Sequence, residues 1–184
     1  SEGLALEVVL GNHDVGLERH LPREVEVHGA GGLLRDGVGV FHGHRWPDAA
    51  LDRARTLVAG HLHPGFRLTA GTGGGPEKLR CWLRVEYPGR LRPRRADGRR
   101  MQARELVVLP AFNPLGGIET LNRSAPHRGR SFLFHRFLAG TRPRVFLLDG
   151  IEVGTIPTPE RSAEARRRAR SARGPARGSG SRSR

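Results

Sequence analysis

A strand-rich fold with a single internal helix is expected from three observations on the 184-residue chain. Short apolar runs with period-two alternation recur along it, as half-buried strands require. Three of these runs end in histidine-bearing motifs, so each motif reads as a loop at a strand end. Only one internal segment carries helical spacing.

Leu4 to Leu10 reads as a strand running into Gly11-Asn12-His13-Asp14. Glu24 to His28 and Gly37 to Phe41 alternate on either side of a glycine-rich turn and are expected to form a hairpin, the second run leading into His42-Gly43-His44. Asp48 to Leu57 is the expected helix, with Asp48 as N-cap and Ala49, Ala50, Ala54 and Leu57 near helical spacing. Val58 and Ala59 then form a short buried strand into Gly60-His61-Leu62-His63.

Beyond the third motif the pattern is mostly β. Strands are expected at Phe66 to Thr69, Lys78 to Tyr87, Glu105 to Leu109, Ser131 to Phe137 and Arg144 to Leu148, with a terminal hairpin at Ile151 to Ile156. Leu79, Cys81, Leu83 and Val85 share one face of the longest run. Cys81 is the single cysteine, so no internal disulfide can form. It reads as a small buried apolar side chain rather than a catalytic thiol. Gly71 to Gly75 is a turn that lacks the strand, helix and lysine context of a phosphate-binding loop.

Composition divides the chain. Hydrophobic residues make up 36% of it, enough for one ordinary domain over 1–157. The net charge of +14 comes almost wholly from arginine, since Lys78 is the one lysine. Arg161 to Arg184 holds nine arginines against Glu164 and lacks apolar periodicity. The stretch 158–184 is therefore expected to be a disordered tail. A second basic cluster, Arg90 to Arg100, reads as a long hairpin loop. Both clusters could meet nucleic acid by counterion release, yet neither carries aromatic residues for base stacking, and a solvated loop and tail remain the plainer reading. No apolar stretch approaches the roughly 20 residues of a membrane span and no signal peptide is visible, so a cytoplasmic location is expected.

Asparagine and histidine at strand ends suit a metal site, because neutral imidazole and amide oxygen are ligands that need rigid support. The order Gly-Asn-His-Asp, His-Gly-His, Gly-His-x-His resembles the later part of the calcineurin-like metallophosphoesterase signature. His63-Pro64, the run from Lys78 to Leu83, and Leu109-Pro110-Ala111-Phe112-Asn113-Pro114 resemble the archaeal branch related to the SbcD nuclease subunit. The resemblance runs from about Val8 to about Gly150. It implies a four-layer α/β/β/α sandwich and hydrolysis of phosphate esters at a two-metal centre, with manganese favoured and iron or zinc compatible.

By that resemblance Asn12, His42 and His61 ligate the second metal and His63 the first. His13 faces the scissile phosphate, with Asp14 orienting it. His44 is assigned to either a substrate-facing or supporting role, or to packing; Asn113 either lines the site or forms a turn. His20, His28, His127 and His135 match no motif. The family's opening Asp-x-His and Gly-Asp-x-x-Asp have no counterpart among the ten residues before Gly11. A βαβ unit needs roughly 30 residues or more, so the chain is expected to be an N-terminally incomplete domain that binds at most one ion weakly. The alternatives to a phosphoesterase are an inactive interaction protein on the same fold and a basic nucleic-acid-binding protein.

Overall fold

The computed structural model describes residues 5–68, 77–113, 115–122, 131–156 and 158. The glycine-rich turn at 71–75, His127 and the basic tail at 161–184 lie outside them. The fold is mixed α/β, mainly sheet with few helical segments, and those are short.

Eleven strands are described: β1 (Glu7–Val9), β2 (Glu26–His28), β3 (Leu33–Arg35), β4 (Val38–Phe41), β5 (Thr56–Ala59), β6 (Pro64–Leu68), β7 (Glu77–Glu86), β8 (Glu105–Val108), β9 (Glu119–Thr120), β10 (Arg144–Leu147) and β11 (Glu152–Thr155). The main path runs β11-β10-β7-β8-β5-β4-β3. Within it β4, β5 and β8 are parallel, so their C-terminal ends reach one edge together. β1 and β2 form a separate parallel pair.

β7 joins the parts. Its first half pairs with β6, through Phe66 opposite Leu79, while its second half lies between β8 and β10, with Leu83 opposite both Val108 and Val145. The alternation expected for this strand is present: Cys81, Leu83 and Val85 are buried and Trp82, Arg84 and Glu86 exposed. The inward side chains meet Leu57, Leu106, Val108, Phe134 and Phe137 in one core. Tyr87, just past the strand, donates its hydroxyl to the Phe137 carbonyl at 2.9 Å.

Three expected elements differ. The hairpin between Glu24–His28 and Gly37–Phe41 does not form. β2 instead lies parallel to β1, and β4 pairs with β3 across the two-residue turn Asp36-Gly37. Both turn residues have positive φ, 46° and 81°, which matches the right-handed twist of the flanking strands. Gly32 is obligatory beside it, because a Cβ there would lie 1.8 Å from the Val40 carbonyl oxygen.

The helix expected over Asp48–Leu57 contracts to a single tight turn, Ala49–Arg53. Ala54 leaves helical geometry at ψ 139°, and Thr56 to Ala59, half of it β-branched, is taken by the parallel ladder. Asp48 makes no side-chain cap. The strand expected over Ser131–Phe137 is a wide helical turn, closed by the Ala139 N–H on the Phe134 carbonyl. Leu133, Phe134, Phe137 and Leu138 are all buried, a spacing that suits one helical face and no strand.

The basic loop after β7 is anchored as well as solvated. Arg95 donates from Nε to both Asp52 oxygens, at 2.7 and 2.9 Å, and from Nη2 to the carbonyls of Pro47 and Asp48. Among the described residues no helix is long and apolar enough to cross a membrane.

Leu83→Ala is expected to destabilise the fold by about 2–5 kcal/mol in urea denaturation, against about 0.5 kcal/mol or less for Glu86→Ala on the exposed face. Burial pushes the Cys81 thiol up to about 12, so it should resist a thiol reagent at pH 8 until the chain is unfolded.

Candidate metal centre

The second and third histidine motifs follow directly on β4 and β5, which are parallel neighbours, and so arrive side by side. The His42 carbonyl accepts both the Gly60 N–H (3.1 Å) and the His61 N–H (2.8 Å), which ties the two loops together beyond the ladder. Gly43, at φ 110°, lets the backbone pass His61; a Cβ there would stand 3.3 Å from the His61 Cβ. Three imidazoles result in one cluster. Ring centroids lie 5.0 Å apart for His42 and His44, 4.9 Å for His42 and His61, and 5.9 Å for His44 and His61.

His42 and His44 share a hydrogen bond between their Nδ1 atoms at 2.9 Å. One ring donates and the other accepts, so whichever donates keeps its Nε2 lone pair. The Nε2 of His42 faces the first motif: a Cβ on Gly11 would lie 2.5 Å from it. Asp14 sits beside the same glycine, its Oδ2 accepting the Gly11 N–H at 2.7 Å.

Electrostatics keep the cluster neutral. Burial lowers the His42 pKa to about 4, helped by His61 and His44 and opposed by Asp14. Burial also lowers His61, with His44, His63 and His13 adding to the effect, and lowers His44 with help from Arg45. Thus His63 and His13 lie within electrostatic reach of the cluster. Neutral imidazoles are metal ligands by type, and one carboxylate, Asp14, stands beside them, but among the described residues their ring nitrogens do not converge within 4.8 Å of one another as a set of three.

The remaining candidates are placed less centrally. Asn12 and His13 are exposed on the first loop. Among the described residues no hydrogen bond joins Asp14 to His13. His63 has left-handed backbone at φ 48° and its Nδ1 lies 3.1 Å from the Gly117 carbonyl. Asn113 is exposed and its Oδ1 accepts the Leu115 N–H at 2.9 Å, an Asx turn.

A group that sequence reading missed lies on the β1–β2 pair. Glu7, Glu26 and His28 present ligand atoms within 4.8 Å of one another. Arg35 reaches both carboxylates at 3.1 Å, and its hydrogen bond holds the Glu7 carboxyl below the usual range, so the arginine already supplies the positive charge the group needs. The i, i+2 spacing of Glu26 and His28 was the one signal available; the pairing with Glu7 is set by register.

No family model matches the chain, and no curated protein sequence matches it. Among solved structures, the Pseudomonas putida nuclease MPE is similar at 16% identity over 77% of this chain, with a TM-score of 0.35. The chain spans 50% of that nuclease's length. At this level of likeness, function rests on the residues of the site.

In the metal-free chain, histidines held below the ordinary value of 6.5 contribute stability that is complete above that pH. It is lost as pH falls toward about 4, where the folded state must also take up protons. The melting temperature in EDTA, followed by circular dichroism, should therefore fall between pH 7 and 4.5. His42→Asn should flatten that part of the profile.

Proposed function

We propose that this chain carries the histidine part of the divalent-metal site of a phosphoester hydrolase of the calcineurin-like kind. The observation that carries the reading is the cluster of His42, His44 and His61, neutral and within 5.9 Å of one another between ring centroids, at the C-terminal edge of parallel strands. Open α/β sheets place their ligands at that edge.

In this reading His42, His61 and His63 offer ring nitrogens and Asn12 its amide oxygen. His44, bonded to His42 through Nδ1, fixes the orientation and tautomer of that ring. His13, exposed on the Gly11–Asp14 loop, faces the phosphate ester and hands a proton to the leaving oxygen. Asp14 steadies the loop by accepting the Gly11 N–H and puts negative charge beside His42. Divalent ions, when bound, polarise a phosphoryl oxygen and lower the pKa of a water. Manganese is the favoured ion, with iron and zinc compatible with the same donors.

One observation favours the inactive reading for the chain taken alone. Asp14 is the carboxylate by the imidazoles, and one of its oxygens is already engaged by Gly11. A dinuclear centre requires more carboxylate than that, so hydrolysis of a generic phosphodiester by this chain should be slow or absent.

Calorimetric titration with manganese tests the site. One weakly bound ion is expected, with His42→Ala and His61→Ala each reducing affinity by more than about tenfold and His20→Ala leaving it unchanged. Affinity that survives both histidine replacements would overturn the assignment, and stoichiometric uptake of two ions would overturn the single-ion reading.

A further inference from the structure

The parallel strands have a second end. Arg55 and Arg104 stand immediately before β5 and β8, and the Arg104 N–H donates to the Arg55 carbonyl at 2.7 Å, so strand register brings the two residues together. Both line a cleft of about 570 Å3 with Arg84 and Arg92. A second cleft of about 400 Å3 shares Arg84, Glu86 and Pro88 with the first and adds Arg142 and Arg144. The whole of β5 separates Arg55 from Gly60, roughly 16 Å at about 3.3 Å per residue, so this surface is remote from the histidines.

Its charge is not balanced from within. Glu105 spends one oxygen on the Thr56 hydroxyl at 2.9 Å and the other on Arg84 Nε at 3.0 Å. Arg144 is held by Glu152 and stands 4.0 Å from Glu86, which lines both clefts, so six lining arginines face the two lining carboxylates Glu86 and Glu105. The exposed side chains of Arg55, Arg104 and Arg142 make no hydrogen bond or ion pair among the described residues. Guanidinium groups gathered in an open cleft attract anions, and their planar forks suit phosphate oxygens. Tyr87 on the wall is 2% exposed with its hydroxyl bound to Phe137, so it offers no ring for base stacking.

We propose that this double cleft binds consecutive phosphates of a phosphodiester chain, without reading bases, at the pole of the sheet opposite the histidine cluster. Two adjoining clefts with cations in each fit a string of charges better than a single phosphate. The proposal stands independently of whether the histidines hold a metal.

Fluorescence anisotropy of labelled oligothymidylate, titrated with the full chain at several salt concentrations, tests it. Arg55→Glu/Arg104→Glu should weaken binding more than about tenfold near 100 mM salt and reduce the log–log salt slope by about 1.4, two contacts at about 0.7 each. Arg55→Gln/Arg104→Gln should act in the same direction, and serves if charge reversal lowers the melting temperature. Arg19→Glu/Arg23→Glu, an equal charge change elsewhere, should alter affinity less than about threefold. Inorganic pyrophosphate should compete only at much higher phosphate concentration. Unchanged affinity in the Arg55/Arg104 variants would place binding elsewhere on the chain, such as the basic stretches 90–100 or 161–184, and overturn the proposal. So would an equal loss in the Arg19/Arg23 variant, or pyrophosphate as potent per phosphate as the oligonucleotide.

Discussion

The pairing of β7 along both its halves is the constraint from which the arrangement follows. One ten-residue strand holds β6 by its first half and β8 and β10 by its second. Because β8 is fixed against it, β5 and then β4 add in parallel register, and the loops carrying His42 and His61 emerge at the same edge. A one-residue slip of β7 would turn Cys81, Leu83 and Val85 outward and Trp82, Arg84 and Glu86 into the core. Such a register is therefore specified by burial, and the histidine geometry inherits that specification.

The histidine cluster is a polar group set against a sheet edge, and burial works on it in one direction. It penalises the imidazolium form of His42, His44 and His61, while the chain's general positive charge, felt through Arg45 and the other histidines, pushes the same way. Asp14 alone opposes this, and only at His42. The result is a set of uncharged rings rather than a patch of cations. The same sheet presents cations at its opposite end, where Arg55 and Arg104 enter β5 and β8, so the two ends of the parallel strands carry opposite chemical offers.

What could be read in the sequence was what period-two patterning and local motifs encode. The strand ends at Val9, Phe41 and Ala59 were legible, and so was the buried face of β7. The α/β class followed from the family resemblance that the histidine motifs at those strand ends carry. The Asp36-Gly37 turn was also written locally, but the glycines at 31 and 32 drew attention to the wrong turn, and β3 was missed. The segment from Asp48 carried alanines that favour helix, yet Thr56 and Val58 gained more from the parallel ladder than from continuing it. At Leu133 to Leu138 the apolar pairs fit a helical face, whereas the longer run from Ser131 resembled a buried strand. The group of Glu7, Glu26, His28 and Arg35 showed in the sequence only as the i, i+2 spacing of Glu26 and His28, since its assembly depends on register between segments 21 to 28 residues apart.

The anchoring of Arg95 gives the arginine-rich composition an uneven meaning. Its fork spans a carboxylate and two carbonyls at once, and Arg80 likewise grips the carbonyls of Ala111 and Phe112 at 3.0 and 3.1 Å. A lysine offers one point charge and cannot bridge acceptors set as widely as those of Arg95, which uses both Nε and Nη2; the two Arg80 bonds leave from the single atom Nη1. Mutational drift from arginine to lysine would therefore be silent at exposed positions such as Arg19 and Arg23 and costly at Arg95. A chain with a single lysine holds, beneath one uniform composition, some arginines that are interchangeable cations and others that are architectural clamps.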